Sequence, residues 1–511
     1  MEEDLVVTLS GMDRSGAAVA QVGAEALLVH GGIPGERVRV RRIRQLGSAT
    51  GVGVARSRTL VELLAVLEPS PHRITPRCRH ASACGGCSWQ HIAYPEQLRL
   101  KTQMLATLLG GAPGFEGRPP QVRPVIGSPT GEDGMPWGYR QKAAFAFAAG
   151  AAGRLVMGHF ARGSHEVVPI EECPVHPERA NRIAFALCDE LQRARITAAG
   201  PELRGLVRHV LVRISRDERE AVAALVVSRD DAALERPLRA LMRRSQRPEG
   251  LALNVHDRPG PFLVGRATRR IDGPGHVREE ALGPAFLVSP TAFFQTNVAG
   301  AEILLRLVRE GCKDMPTVLD LYSGSGLFAL PLALGGHRVT AVEESRKGGR
   351  DAELNRKTNG LGEGQLRLVS ASVEHALPRF RVGVFDAIVL DPPRDGCPPE
   401  VLRGVFGRLR PARAVLVSCN PEALARELPV AVRAGYRVLA VQPVDMFPHT
   451  PHIEAVVVLE REGRSLRRSS RPAAAPPRRP APVSPRRPAA PTARPAAARR
   501  QQPQRRKPSS R

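Results

Sequence analysis

Thr317-Val318-Leu319-Asp320-Leu321 runs directly into Tyr322-Ser323-Gly324-Ser325-Gly326. The first five residues read as a short apolar strand, and the glycine turn lets backbone approach a ligand closely. Leu327 to Leu334 then starts a helix. The next strand, Val339-Thr340-Ala341-Val342, ends at Glu343. The rhythm continues with Phe385 to Leu390, which ends in Asp391-Pro392-Pro393, and with Ala414 to Val417, which ends in Ser418-Cys419-Asn420-Pro421. Ile453 to Leu459 forms a last strand. Continuous apolar strands alternating with helices predict a mostly parallel sheet covered on both faces. Ligands of such sheets bind at the carboxyl ends of the strands, where each of these polar motifs falls.

The residues at those ends suggest chemistry. Alone, Glu343 reads as an exposed strand-end acid; after a glycine turn, it is placed to bind ribose hydroxyls. Gly324-x-Gly326 falls short of the full G-x-G-x-x-G pattern, and no Walker lysine follows. A lone cysteine is commonly an inert core residue. Cys419 instead shares a sheet edge with the glycine turn and with Asp391, and a thiolate is a strong nucleophile. Glu454 adds a second acid at the same edge. Nucleophile, acid and cofactor loop together predict covalent group transfer.

Working outward, residues 1 to 67 read as short strands with glycine turns, the pattern of a small β-barrel. The strands are Leu5 to Leu9, Val19 to Val22, Ala26 to Val29, Arg37 to Arg41 and Val61 to Leu67. Pro69-Ser70-Pro71 marks a boundary. Tyr94 to Leu109 reads as a helix, with Leu98, Lys101, Leu105 and Leu109 at near-helical spacing. Residues 110–136 are a Gly/Pro-rich loop. From Trp137 to about Gly265 the pattern is mixed α/β, with a strand pair at Leu206 to Ile214 and Glu220 to Val227, and another strand at Leu251 to Val255. No internal repeat is visible. The expected organisation is a β-barrel over 1–67, a central α+β domain over 68–290, a Rossmann-like α/β domain over 291–460 and a basic tail over 461–511.

Charge points to a polyanionic partner. The 511 residues carry 75 Lys and Arg against 50 Asp and Glu, a net +25, and nucleic acid is the simplest counterpart. From Arg461 onward stand 16 basic residues and one acid, Glu462, so the tail holds +15 and residues 1–460 hold +10. The tail is Arg, Pro, Ala, Ser and Gln without aromatic residues, a composition that predicts disorder. It reads either as a solvated, dispensable extension or as a tether that binds RNA through counterion release. No run of 18 apolar residues exists, and Met1-Glu2-Glu3-Asp4 lacks the layout of a signal peptide. A cytoplasmic, monomeric protein without membrane contact is expected.

Eight cysteines in this length do not make a disulfide scaffold. Cys78, Cys84 and Cys87 lie within ten residues, and Cys173 can supply a fourth thiol. Four thiolates suit zinc or an iron–sulfur cluster, and spacing alone does not decide. Cys188, Cys312 and Cys397 read as structural.

The motifs together carry a resemblance. Leu319-Asp320-Leu321-Tyr322-Ser323-Gly324-Ser325-Gly326 resembles the first motif of S-adenosylmethionine-dependent methyltransferases. Phe293-Phe294-Gln295-Thr296-Asn297, Asp391-Pro392-Pro393-Arg394, Val417-Ser418-Cys419-Asn420-Pro421 and His452-Ile453-Glu454 resemble the RNA uracil-5-methyltransferase family, over nearly the whole chain to about residue 460. The N-terminal segment, with Pro34-Gly35-Glu36, looks like the TRAM RNA-binding barrel. The resemblance implies a nucleophilic Cys419 and a base, Glu454. It implies cofactor contacts from Gln295, Tyr322, Glu343 and Asp391, with Asp391 and Phe293 bordering the target base. It also implies a 4Fe-4S cluster on Cys78, Cys84, Cys87 and Cys173, in preference to zinc, in a structural role beside Trp89 and Gln90. Barrel and cluster match the 23S ribosomal RNA branch better than the tRNA branch. Leu327 stands where several ribosomal members carry Asn.

Trp137-Gly138-Tyr139-Arg140-Gln141-Lys142 mixes aromatic and basic side chains, as RNA surfaces do, or simply opens a strand. Alternation puts Arg37, Arg39 and Arg41 on one face, either solvated or touching phosphate; Arg42 and Arg44 follow. Three rivals remain. One is the same chemistry on tRNA. Another is cytosine-5 methylation, whose enzymes usually place the catalytic Cys after Pro. The last is a non-catalytic RNA-binding or assembly protein with a metal cluster, which the intact set Gln295, Asp391, Cys419 and Glu454 argues against.

Overall fold

The computed structural model describes residues 4–49, 56–115, 117–260, 263–281 and 283–463. The basic tail from Arg464 onward lies outside the described residues.

The N-terminal strands form a six-stranded sheet in the order Leu5–Thr8, Arg37–Ala49, Arg56–Glu68, Glu25–Val29, Ala18–Val22, Gly11–Met12. Its two edge strands are consecutive in the chain, joined only by Leu9 and Ser10. The sheet is therefore curled on itself, around a core that includes Leu9, Leu27, Val29, Val38 and Val61. In Arg37-Val38-Arg39-Val40-Arg41 the valines are buried and the arginines exposed, as the period of two requires.

The central segment forms a seven-stranded, mostly antiparallel sheet. The strand pair Val207–Ile214 and Ala221–Val227 is present, as is Gly250–Val255. Helix Glu178–Arg193 packs on this sheet through Ile183, Leu187 and Leu191.

The C-terminal sheet has the order Leu366–Ser370, Arg338–Glu343, Thr317–Leu321, Ala387–Leu390, Arg413–Ser418, Glu454–Arg461, Tyr436–Val444. The first five strands are parallel, and the last two add an antiparallel pair. Alternate residues feed two cores on opposite faces. Leu319, Leu321, Ile388 and Leu390 enter one; Val318, Val389, Val415 and Val417 enter the other. The expected two-sided sheet is thus observed.

A buried polar junction ties the helix Tyr94–Gly110 to this sheet. Lys101, read as part of an apolar stripe, is fully buried and donates to Asp445 Oδ1 at 2.6 Å. Tyr94 Oη donates to the other oxygen at 2.9 Å, and Ser128 Oγ donates to the Asp445 carbonyl at 2.7 Å. Removing one partner of such a pair strands a charge at a cost of about 3–5 kcal/mol. Lys101→Met is expected to lower the urea-unfolding free energy by about that much, and an unchanged midpoint would show that the pair contributes nothing to stability.

Candidate active site

Strand register builds the site. Leu321 pairs with Val342 on one side and Leu390 on the other. The residues that follow, Tyr322, Glu343 and Asp391, therefore emerge side by side at the carboxyl edge. Ser418 pairs with Ala455 in the antiparallel ladder, which sets Cys419 across from Glu454. The chain then turns into helix Pro421–Arg433. Asn420 caps it, accepting from the Glu422 and Ala423 amides at 2.9 and 3.3 Å. Asn420 Nδ2 also donates to the Arg394 carbonyl at 2.7 Å, fastening the Cys419 turn to the loop after Asp391.

The turn after Leu321 is strained. Tyr322 has φ +63°, unusual for a residue with a side chain, and such strain concentrates at functional sites. Gly326 has φ +91°, and a Cβ there would lie 2.0 Å from Leu330 Cδ1. Glu343 Oε2 accepts the Gly324 amide at 2.7 Å and Oε1 the Ser345 amide at 2.5 Å, which fixes the loop geometry. Ser323, Glu343, Arg346 and Val369 line a cavity of about 410 Å³ beside this loop.

Two groups here lack partners. Tyr322 Oη is buried without a hydrogen bond. Asp320 is fully buried, and neither carboxylate oxygen makes a complete hydrogen bond, although the Ala329 amide is near. Burial, with Asp391 and Glu343 nearby, pushes its pKa far up. A ligand bearing an ammonium and hydroxyls would satisfy such groups, as the methionine and ribose parts of S-adenosylmethionine do. The sequence reading takes Asp320 only as part of a strand and its motif; a carboxylate inside an otherwise apolar strand is the signal that marks it.

Gln295 is buried in the segment before helix Val298–Gly311. That segment is held from both sides. The Gln141 amide donates to the Thr296 carbonyl at 2.7 Å. Gln141 Oε1 accepts the Val298 amide at 3.3 Å, and Asn297 Nδ2 donates to Ser128 Oγ at 2.8 Å. Phe293, two residues before Gln295, is 72% exposed.

Cys419 opens on a different cavity, a cleft of about 760 Å³. One wall is Gly11 to Ser15 of the N-terminal sheet, another is helix Tyr94–Gly110 through Leu100, Met104 and Leu108. The third carries Arg394, Cys419, Glu422 and His452. Arg14 and Glu422 pair across it at 3.2 Å. Burial, then Glu454 and Asp391, push the Cys419 thiol up to about 11, against Arg394. Burial and Asp391 push Glu454 up to about 8, and burial raises Asp391 as well, so the two neighbouring acids resist ionising together. Buried Cys188, Cys312 and Cys397 are likewise held as thiols by burial, in keeping with structural roles.

Cys78, Cys84, Cys87 and Cys173 line one cavity of about 330 Å³. The Gly86 amide donates to the Cys84 sulfur at 3.4 Å, and the His80 amide, the Gln90 side chain and the Val175 amide lie near the sulfurs of Cys78, Cys87 and Cys173 and oppose the effect of burial on them. Such donors suit thiolates bound to metal. The metal-ligating atoms that lie mutually within 4.8 Å are those of His159, Cys173 and His176.

The Trp137–Lys142 stretch turns inward. Trp137 stacks on His449 at 4.3 Å, and buried Tyr139 donates to the Pro448 carbonyl at 3.0 Å. Arg140 lines the cysteine cavity, and Lys142 donates to the Ala292 carbonyl at 3.3 Å. These contacts are structural, against the expectation of an RNA surface.

Two expectations follow. A raised carboxylate pKa means the folded state keeps a proton that the unfolded chain has released. This stabilisation is present below about pH 4.5 and is lost as pH rises to about 8. The urea midpoint is therefore expected to fall across that window, and less steeply in Glu454→Gln; an equal slope would place the proton elsewhere. Gly326→Ala, forced into a backbone region costly for alanine, is expected to weaken S-adenosylhomocysteine binding at least tenfold by calorimetry, and unchanged affinity would remove the loop from the cofactor site.

Comparison with known proteins agrees with this geometry. Residues 285–462 match the model of the tRNA (uracil-5-)-methyltransferase family. An RNA methyltransferase of Gloeobacter violaceus is 35% identical over 465 residues, 90% of this chain and 97% of that protein. One of Caldanaerobacter subterraneus is 32% identical, covering 90% and 98%. The crystal structure of Pyrococcus abyssi tRNA (uracil-54, C5)-methyltransferase with S-adenosyl-L-homocysteine superposes with a TM-score of 0.69 at 24% identity, covering 89% of this chain and all of that one, a likeness of fold. The chain thus belongs to the RNA uracil-5-methyltransferase family and is an S-adenosylmethionine-dependent RNA methyltransferase.

Proposed function

We propose that this enzyme methylates carbon 5 of a uridine in 23S ribosomal RNA through a covalent adduct of Cys419 with carbon 6. The observation that carries the covalent chemistry is the register that sets Cys419 across from Glu454, with Asp391 beside them; the choice of 23S rRNA rests on the resemblance of the N-terminal segment and the cysteine set to that branch. Carbon 5 of uracil is a poor nucleophile. Addition of the Cys419 sulfur to carbon 6 forms the S–C6 bond and moves the ring π electrons into an enolate, whose carbon 5 is nucleophilic. S-adenosylmethionine would supply the methyl group: carbon 5 forms the new C–C bond as the sulfonium S–CH3 bond breaks and S-adenosylhomocysteine departs. Glu454 then takes the carbon 5 proton, the S–C6 bond breaks and the ring double bond re-forms. Glu454 is suited to this work because its raised pKa lies near neutral pH, where base strength and ionised fraction are both useful. Cys419 must lose its proton to react, so turnover rises with pH through the neutral range. Gln295, Tyr322, Glu343 and Asp391 would contact the cofactor, with Asp320 facing its ammonium group.

The target base must leave its stack, at a cost of a few kcal/mol. The exposed face of Arg37, Arg39 and Arg41 on the N-terminal sheet, read as a TRAM-type module, would help offset that cost through phosphate contacts. The cysteine site is read as a 4Fe-4S centre. Zinc draws its thiolates to about 3.8 Å from one another, from bonds near 2.3 Å, whereas of these four sulfurs only that of Cys173 belongs to a described group mutually within 4.8 Å, and its companions there are His159 and His176.

A second reading is the same chemistry on tRNA. The matching family description and the Pyrococcus abyssi enzyme both specify tRNA, and that enzyme's fold spans this chain's N-terminal and cysteine-bearing regions. Nucleoside mass spectrometry separates the two. Anaerobically purified enzyme with S-adenosylmethionine is expected to form 5-methyluridine on unmodified 23S rRNA, and Cys419→Ala to form none while still binding cofactor and RNA. Product on tRNA alone would move the substrate; product with Cys419→Ala would overturn the covalent mechanism.

A further inference from the structure

Two arginines, Arg140 and Arg162, and one acid, Glu172, line the cysteine cavity, which leaves one positive charge unneutralised within its described lining. Arg140 lines it, and its Nε is buried without a hydrogen-bond partner. Its guanidinium lies near Cys87, His159 and His176 and makes no ion pair among the described residues. Arg162 stands at the exposed rim beside Cys84, also without an ion pair among the described residues. His80 adds a buried ring nitrogen, Nε2, without a partner.

A buried guanidinium nitrogen without a partner is costly, and a structure keeps one where an acceptor completes it. Four thiolates around a 4Fe-4S core or around zinc carry a net charge of about −2. Two guanidinium groups, set against Glu172 of the same lining, offset part of that charge. We infer that Arg140 and Arg162 are the counter-ions of an anionic metal–thiolate centre held by Cys78, Cys84, Cys87 and Cys173, with Arg140 Nε donating to it. This assignment rests on the metal-centre reading above and removes Arg140 from the RNA surface. It has a redox consequence. A one-electron reduction, by dithionite for example, adds negative charge to an iron–sulfur centre, and nearby cations favour that state. Arg140 therefore raises the midpoint potential.

The full-length chain, purified anaerobically, tests this as wild type, Arg140→Gln, Arg140→Lys and Cys84→Ala. Iron, sulfide and zinc contents come first. A dithionite titration followed by electron paramagnetic resonance reads the potential, and filter binding reads RNA affinity. Arg140→Gln is expected to fold, to lose its cluster to air or chelator several-fold faster and to show a lower midpoint potential. Arg140→Lys is expected to recover part of both, with RNA affinity unchanged in each. Wild-type potential and cluster lifetime in Arg140→Gln would overturn the inference, as would weakened RNA binding with an unaltered centre. Wild-type protein with zinc and no iron would overturn the iron–sulfur reading instead. The counter-ion role would then require faster zinc loss to a chelator from Arg140→Gln, and equal rates would overturn it.

Discussion

The rest of the structure depends on the Asp445 carboxylate. It sits just after the edge strand Tyr436–Val444, takes Lys101 and Tyr94 from the helix at its side, and accepts the Phe447 amide at 3.2 Å. A carboxylate buried this deeply is tolerable only when its lone pairs are filled. Filling them commits the following loop to one path. His449, in that loop, gives its carbonyl to the Trp89 amide at 2.9 Å and takes Gln97 Oε1 on its own amide, also at 2.9 Å. Its ring nitrogen reaches the Pro136 carbonyl at 2.8 Å. Trp89, for its part, donates to Gly16 of the N-terminal sheet at 2.9 Å. Three regions of sequence thus meet on a loop that ends at Glu454.

The same economy explains why the reacting groups sit where they do. Glu454 and Asp391 are held against burial and against each other, an expense that a purely structural sheet edge would shed. Tyr322 adds backbone strain, and Asp320 an unsatisfied carboxylate. Both cores of the C-terminal sheet are fully apolar and continuous beneath this edge. Stability is supplied there and spent at the strand ends, the usual arrangement when a site must be ready before its ligands arrive.

The C-terminal half was legible because its signals are local. Apolar runs gave five of its seven strands, missing Leu366–Ser370 and Tyr436–Val444, and strand ends singled out Glu343, Asp391, Cys419 and Glu454, whereas Tyr322 and Gln295 came only with the resemblance. The central sheet was less so. Lys142–Ala149 is rich in alanine, and helix Glu178–Arg193 carries its polar residues without a side-chain cap, so neither announces itself. Lys101 and Asp445 lie 344 residues apart, and nothing local says that they pair. Trp137-Gly138-Tyr139-Arg140-Gln141-Lys142 misled for the same reason. Its composition is that of a nucleic-acid surface, but His449, Pro448, Ala292 and the cysteine cavity, all distant in sequence, consume its side chains. Composition reports what a segment could touch; partners elsewhere in the chain decide what it does touch.

With that stretch turned inward, the active-site edge has two openings. Glu343 and Ser323 line a cavity beside the glycine loop, whereas Cys419 faces the cleft under Arg14 and Met104. In-line transfer of a methyl group is compatible with reactants that enter from different sides. Asp391 follows Leu390 in the register between Tyr322 and the Cys419 turn, and its neighbours Pro392 and Pro393 limit how far its backbone can yield. The cleft wall contributed by Gly11 to Ser15 belongs to the curled N-terminal sheet rather than to the catalytic sheet. Access to Cys419 is therefore set in part by a segment that carries none of the proposed reacting groups. The Arg14–Glu422 pair that spans the cleft is worth about 1 kcal/mol or less, because its arginine is largely exposed, so the apolar wall of Leu100, Met104 and Leu108 rather than this ion pair fixes the shape of the opening.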